Sequence, residues 1–458
     1  MSASLARDNC RIDAFIDCAP AVNYALYHCN IPIIRRITLK NSGPADTSPL
    51  KMTVAIEGYS EPWTTYVSPM NAGEEVTLEP VPLKLDSLRL EGQDTRGRAD
   101  LKIALNGETL FREPLSILGF YEWPTGPEKQ LQKSIACFVQ PSNPIIQHIM
   151  VQAVQRLTEE TGLDSFRDLR LTDEKNKTYL ALKVIYESIL QNYQITYETP
   201  PAWSYEKRSQ VVRPPHRVMS NPSLALHGKG LGIGTCIDLT LIFAACLESI
   251  SMRPLIILVE EGKNTHHALL GCWQNKPGKS LELFLPHDKV TEAVEFKQLI
   301  PLETTGVTVQ KRLSFREAVE AGKTYLEKKD RFIFSIDVAA ARENSLFPLQ
   351  FAMSPSLTHV MREAECLALE GIELTLEPKH LLFSLFLTDM DQSPPLRSAF
   401  HSLGIDVKEF RRIVEPMIER FPPVYGSQER GFLTKSNDYL HVVRDMEVMA
   451  KESVTTCR

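Results

Sequence analysis

No apolar run in this 458-residue chain approaches membrane-spanning length, and residues 1–8 carry no signal-peptide apolar stretch. A cytoplasmic protein that does not engage a membrane is expected. Basic excess is also missing: the net charge is −6 with the two signs interspersed, which argues against a nucleic-acid-binding surface. No Cys-x-x-Cys or His-x-x-x-His pair occurs, so no metal site is expected. The glycine-rich segment 228–234 lacks the Gly-Lys-Ser/Thr ending of a phosphate loop, and no cofactor is expected. Those glycines read as a mobile approach to a site. The nine cysteines are an odd number scattered through apolar segments, which fits reduced thiols better than a disulfide framework.

What the chain does have is a cysteine at the mouth of an apolar helix. Gly234-Thr235-Cys236-Ile237-Asp238 leads into a run in which Leu239, Phe243 and Leu247 recur at helical spacing, and Arg253-Pro254 stops it. Unpaired N–H groups at a helix start favour a thiolate, the nucleophilic form, and Gly232 and Gly234 allow close substrate approach. Residues 255–259 then read as a buried strand, 260–265 as a polar turn, and a second strand begins at His267. The result is a thiol–imidazole pair able to do acyl-transfer chemistry. Taken singly, a helix-start cysteine and a strand histidine are more often plain core. Their order in one helix–strand–strand unit gives them chemical meaning.

Gly-x-Cys-x-Asp, an Ala-rich helix and His-Ala at a strand start resemble the transglutaminase-like cysteine peptidase superfamily, which is papain-like in its core. The resemblance implies a third catalytic residue, an acid on the next strand, and Glu303 in Leu302-Glu303-Thr304-Thr305 takes that position. Separations of 31 and 36 residues leave room for one strand and its connection each time. In the implied mechanism Cys236 attacks a carbonyl carbon, His267 takes and returns the proton, and Glu303 holds the imidazole tautomer. The Cys236 backbone N–H and Gln210 are the candidate oxyanion donors. Asp238 points away from the thiol and reads as a first-turn and loop-anchoring residue. His266 is the alternative base, and Trp203 a candidate lining residue of the acyl site. Each has a plainer reading: Glu303 as a turn cap, Gln210 as a solvated loop residue, Trp203 as packing.

The length exceeds one core, and a multidomain α+β chain is expected. Residues 1–125 read as short strands at 31–39, 51–56, 75–78 and 101–105 separated by turn clusters such as Asn106-Gly107, an Ig-like β-sandwich in outline. Phe120-Tyr121-Glu122-Trp123-Pro124 ends it. It resembles the sandwich that precedes transglutaminase-like domains in large bacterial multidomain proteins. Residues 128–350 read as the catalytic domain, with helices at 146–160 and 174–192 and a capped helix from Ser314. Residues 354–458 read as all-α. Within them Ser354, His359, Val360, Arg362, Glu365, Ala368 and Glu370 recur as Ser436, His441, Val442, Arg444, Glu447, Ala450 and Glu452, each at an offset of 82. With the helix starting at Glu377-Pro378 and the capping box of Asp406 and Glu409, this module resembles the Clp unfoldase N-terminal domain, its second repeat ending after one helix. A divergent helical bundle is the plainer reading.

Together these resemblances imply a cytosolic cysteine protease acting on protein substrates. They place it in a bacterial antiviral defence system, with an ATPase or unfoldase partner bound through 354–458. Two alternatives stand beside it: a protein transglutaminase or deamidase, which shares the thioester step, and a non-catalytic adaptor that binds protein partners.

Overall fold

The computed structural model describes residues 2–7, 10–93, 95–126, 128–169, 174–199, 209–219, 230–262, 265–274 and 282–349, together with the dipeptides 375–376 and 434–435. The chain is a mixed α+β protein with several sheets. Trp203 and the repeat residues at 354–370 and 436–452 lie outside the described residues. Within residues 354–458 the two dipeptides pair in parallel, a small strand element the all-α reading did not include.

Inward and outward side chains alternate along strands such as β5, and this pattern builds much of the N-terminal region. Strands β1 (Ser2–Arg7), β2 (Cys10–Cys18), β4 (Ile34–Asn41) and β7 (Glu75–Leu78) form one sheet in that order. A second sheet has the order β3 (Ala21–Val22), β9 (Glu108–Ile117), β8 (Gly97–Leu105), β5 (Leu50–Ile56), β6 (Trp63–Val67). Ile12, Ala14 and Ile16 of β2 point inward, as do Met52, Val54 and Ile56 of β5 and Ile103 and Leu105 of β8, and all belong to one continuous core. Asn106 and Gly107 adopt φ of 48° and 87°, the two left-handed residues of a type I′ hairpin joining β8 to β9. Two short helices, α1 (Tyr24–His28) and α2 (Ser87–Glu91), complete this part.

The boundary near 125 is not clean. Strand β10 (Glu122–Pro124) pairs antiparallel with β12 (Ser209–Val211), so the segment expected to end the first region is hydrogen-bonded into the second. Beyond it come α3 (Lys129–Gln132), α4 (Pro144–Thr161), α5 (Phe166–Leu169) and α6 (Glu174–Asn192). Asn143 caps α4 with Pro144 at its first position, and Gly162 ends it at a left-handed φ of 73°. Strand β11 (Tyr193–Tyr197), helix α7 (Pro215–Val218) and β13 (Gly230–Gly234) follow, with β13 parallel to β11. Residues 230–234 are therefore ordered strand rather than the loose approach expected of a glycine-rich stretch.

Helix α8 (Cys236–Ser249) is buried on every side through Leu247, as a helix at the centre of a domain must be. It packs on a four-stranded antiparallel sheet ordered β16 (Leu299–Leu302), β15 (Thr265–Trp273), β14 (Pro254–Gly262), β17 (Phe332–Asp337). The strands run further than the sequence suggests: β14 continues to Gly262 through an irregularity after Glu260, and β15 begins at Thr265. Helices α9 (His287–Glu295), α10 (Phe315–Leu326) and α11 (Val338–Glu343) close this part, with Ser314 and Glu317 forming the capping box of α10. Among the described residues, no helix is long and apolar enough to cross a membrane.

Candidate active site

The first turn of α8 is assembled around Cys236. Thr235 caps the helix, accepting from the Asp238 N–H at 3.4 Å, while Asp238 Oδ2 accepts from the Thr235 N–H at 3.0 Å. Asp238 reaches further: its Oδ1 accepts from the Arg213 N–H at 2.8 Å, and the Arg213 guanidinium lies 3.3 Å from Oδ2. Burial pushes this carboxyl up, and the hydrogen bonds from Thr235 and Arg213 act against it. The one side chain thus caps the helix and ties down the segment around Arg213. Cys236 occupies the first helical position, where the backbone N–H has no partner within the helix.

His267 sits on β15 opposite Val259, facing α8, and its Nε2 lies 2.5 Å from Glu303 Oε2. Glu303 follows β16 directly. Its other oxygen, Oε1, accepts from the Thr305 N–H at 2.8 Å and the Thr305 hydroxyl at 2.6 Å, so it also caps the 3₁₀ turn Thr304–Val307. The turn-cap reading and the acid reading of Glu303 therefore describe the same side chain. Thr240 and Thr304 hydroxyls meet at 3.0 Å, which locks that turn to the second turn of α8. Cys236, His267 and Glu303 are 3%, 2% and 1% exposed.

The electrostatics of the three are linked. Burial alone would lower the imidazole, but Cys236 and Glu303 beside it outweigh burial and push His267 from 6.5 up to about 10. Burial would likewise raise Glu303, yet the His267 hydrogen bond and charge, with help from Lys311 and Thr305, pull it from 4.5 down to about 2. Nδ1 of His267 is buried without a hydrogen bond. Cys236 acts on the same ring, raising it together with Glu303.

Three neighbours were not found from sequence. Tyr197 ends β11 opposite Gly234, and burial followed by the adjacent Cys236 pushes its hydroxyl up. Tyr325 of α10 stacks on the His267 ring, with centroids 4.7 Å apart and planes 21° apart, and donates its hydroxyl to Glu261 at 2.9 Å. Lys311 brings its ammonium to 3.7 Å from Glu303 Oε2. All three reach the site through tertiary packing, which no local pattern encodes. The nearest signal is the alternation along β11, which buries Tyr193 and Ile195 and leaves Tyr197 at the end of the strand.

Gln210 is in the middle of β12, in register with Trp123, and among the described residues it makes no hydrogen bond to Cys236 or His267. His266 adjoins His267 on β15, so strand alternation sends its ring to the other face of the sheet. Burial lowers it, opposed by Glu260. Among the described residues, no group of three or more His, Cys, Asp or Glu could hold a metal ion. Compared with known proteins, the chain matches no family model, no curated protein and no solved structure.

Proposed function

We propose that this chain is a transglutaminase-like cysteine hydrolase, a protease acting on protein substrates through Cys236, His267 and Glu303. The observation that carries this reading is the buried 2.5 Å His267–Glu303 bond, with the thiol of a helix-start cysteine acting on the same ring. A structural histidine does not need both an acid and a cysteine acting on its ring.

With the ring pushed up to about 10, the proton rests on His267 before substrate arrives. Cys236 sulfur then adds to the carbonyl carbon, and the oxyanion meets the Cys236 backbone N–H and the Tyr197 hydroxyl. His267 gives its proton to the departing amine, leaving a thioester. It then takes a proton from water as the hydroxide adds to the thioester, and collapse releases the acid and the deprotonated Cys236 sulfur, with the proton again on His267. Glu303 fixes the ring orientation throughout and balances its charge. Asp238 positions the helix mouth without touching the reacting atoms.

Acyl transfer to an amine is the second reading. The near-complete burial of Cys236 favours it, since a thioester shielded from water survives to meet an amine. In the wider reading residues 1–125 are an Ig-like sandwich and 354–458 a Clp-like recognition module. These would bring a protein substrate or an ATPase partner to the site in the bacterial cytoplasm, in antiviral defence.

The test incubates wild type and Cys236→Ala with an activity-based cysteine probe and a candidate proteome, and then sequences new termini. Probe labelling at Cys236 with new termini in wild type alone supports the protease. Isopeptide adducts without new termini support transfer. Labelling and proteome unchanged by Cys236→Ala would overturn both and leave a docking protein.

A further inference from the structure

Cys29 and Cys137 are 108 positions apart, yet their sulfur atoms lie 3.0 Å from each other. Cys29 closes α1 in the N-terminal region, and Cys137 sits in the 3₁₀ turn Lys133–Phe138 that opens the central one. A disulfide spans about 2.05 Å, so about 1 Å of approach separates this pair from a covalent bond. Neither residue touches the proposed triad. We propose that Cys29 and Cys137 form a redox-driven cross-link that fastens the N-terminal sheets to the catalytic region.

The surroundings give the bond something to lock. On the far side of Cys137, Arg342 donates to the Ala136 carbonyl at 3.0 Å and the Val139 carbonyl at 3.3 Å. The same guanidinium holds Glu248 in the last turn of α8 at 2.7 and 2.9 Å. A bond from Cys29 would extend this chain of contacts from α1 to the helix that begins with Cys236. Closing a loop of this length removes much conformational freedom from the unfolded chain, which is where a cross-link stabilises most.

Hydrogen peroxide or an organic hydroperoxide is the oxidant. Cys29, 7% exposed against 0% for Cys137, is the thiol an oxidant meets first. Its sulfur attacks a peroxide oxygen, the O–O bond breaks, and with H₂O₂ Cys29 becomes a sulfenic acid as the first water leaves. The Cys137 sulfur then displaces the sulfenic hydroxyl, which departs with the Cys137 proton as a second water. Two thiols lose two electrons and two protons, and one peroxide is reduced to two waters. The hydrogen bond with Cys29, then burial, push the Cys137 thiol well up, which suits the resolving rather than the attacking partner.

The test treats the full-length chain with hydrogen peroxide or with dithiothreitol, blocks free thiols by alkylation, digests, and maps linked peptides by mass spectrometry. The same protocol on Cys236→Ala removes any contribution from the catalytic thiol and makes the outcome independent of the proposed activity. A linked Cys29–Cys137 peptide pair is expected in the oxidised sample only. An unfolding midpoint higher by on the order of 5–10 °C is expected with it, reversed by dithiothreitol and absent in Cys29→Ala. The peptide map uses chains with both thiols, so a poorly folding variant does not decide the matter. Full alkylation of both cysteines under excess peroxide, linkage of either to another cysteine, or linkage with no rise in midpoint would each overturn the proposal.

Discussion

Replacing Glu303 by Gln keeps the side-chain shape and an oxygen for Thr305 but removes the charge that faces His267. Between 6.5 and about 10, the His267 shift corresponds to roughly 5 kcal/mol in favour of the charged ring, shared between Cys236 and Glu303. Because His267 is raised on folding, its contribution is fully present below pH 6.5 and is lost as pH climbs through about 10. Because Glu303 is lowered, its contribution is present above pH 4.5 and is lost as pH falls through about 2. The pair therefore stabilises most between 4.5 and 6.5. Glu303→Gln is expected to cost about 3 kcal/mol in that window, or a midpoint lower by roughly 5–10 °C, because it leaves a buried charged ring unbalanced. The difference should shrink steadily towards pH 10. Thermal unfolding of both proteins across pH 5 to 10 measures it, and ¹³C-histidine NMR follows the ring directly, with His267→Gln assigning its signal. Catalysis by the variant should fall by roughly 10³-fold with protein folded at pH 7. A midpoint difference that stays flat from pH 5 to pH 10 would refute the argument that Glu303 holds the ring charged.

Other outcomes follow from named contacts. Tyr197→Phe should lower kcat by roughly 10²-fold with KM little changed and the fold intact, as steady-state kinetics and circular dichroism would show. An unchanged kcat removes it from the oxyanion site. Asp238→Ala should lower stability by about 2–3 kcal/mol in a urea titration, since it deletes a helix cap and strands the Arg213 N–H; a loss below about 0.5 kcal/mol would contradict that anchoring role. Gly232→Ala places a Cβ 2.6 Å from the Val218 carbonyl oxygen, so β13 must shift and carry Cys236 with it. A cost of about 1–3 kcal/mol and a larger fractional loss of probe labelling are expected, and wild-type labelling would count against the coupling.

The local parts of the site were legible because helix starts and buried strands are written in neighbouring residues. Thr235, Cys236 and Asp238 share one turn, and His267 stands on a strand whose apolar run is continuous. Glu303 came from the order of elements in the resembled superfamily, and its distance to His267 came only with the folded sheet. Tyr197 and Tyr325 were illegible, since β11 reaches Cys236 through its parallel partner β13 and α10 reaches His267 across β16. The N-terminal strands show the same divide. Asn106-Gly107 announces its hairpin, whereas β1, β2, β6 and β9 are not legible in the same way, and β9 even holds Pro114, a poor residue for a strand. The fold tolerates it because, apart from β8, β9 pairs only at Ser116 and Ile117 with β3, so the missing N–H costs no ladder bond there.

The two oxygens of Glu303 answer to different masters, one to the imidazole and one to the Thr305 turn. A lineage without the proposed chemistry would still be held to this carboxylate by its own backbone, while Cys236 could drift to serine or alanine at little structural cost. Among descendants of this chain, the persistence of the acid would therefore testify to folding. The persistence of the sulfur would testify to catalysis.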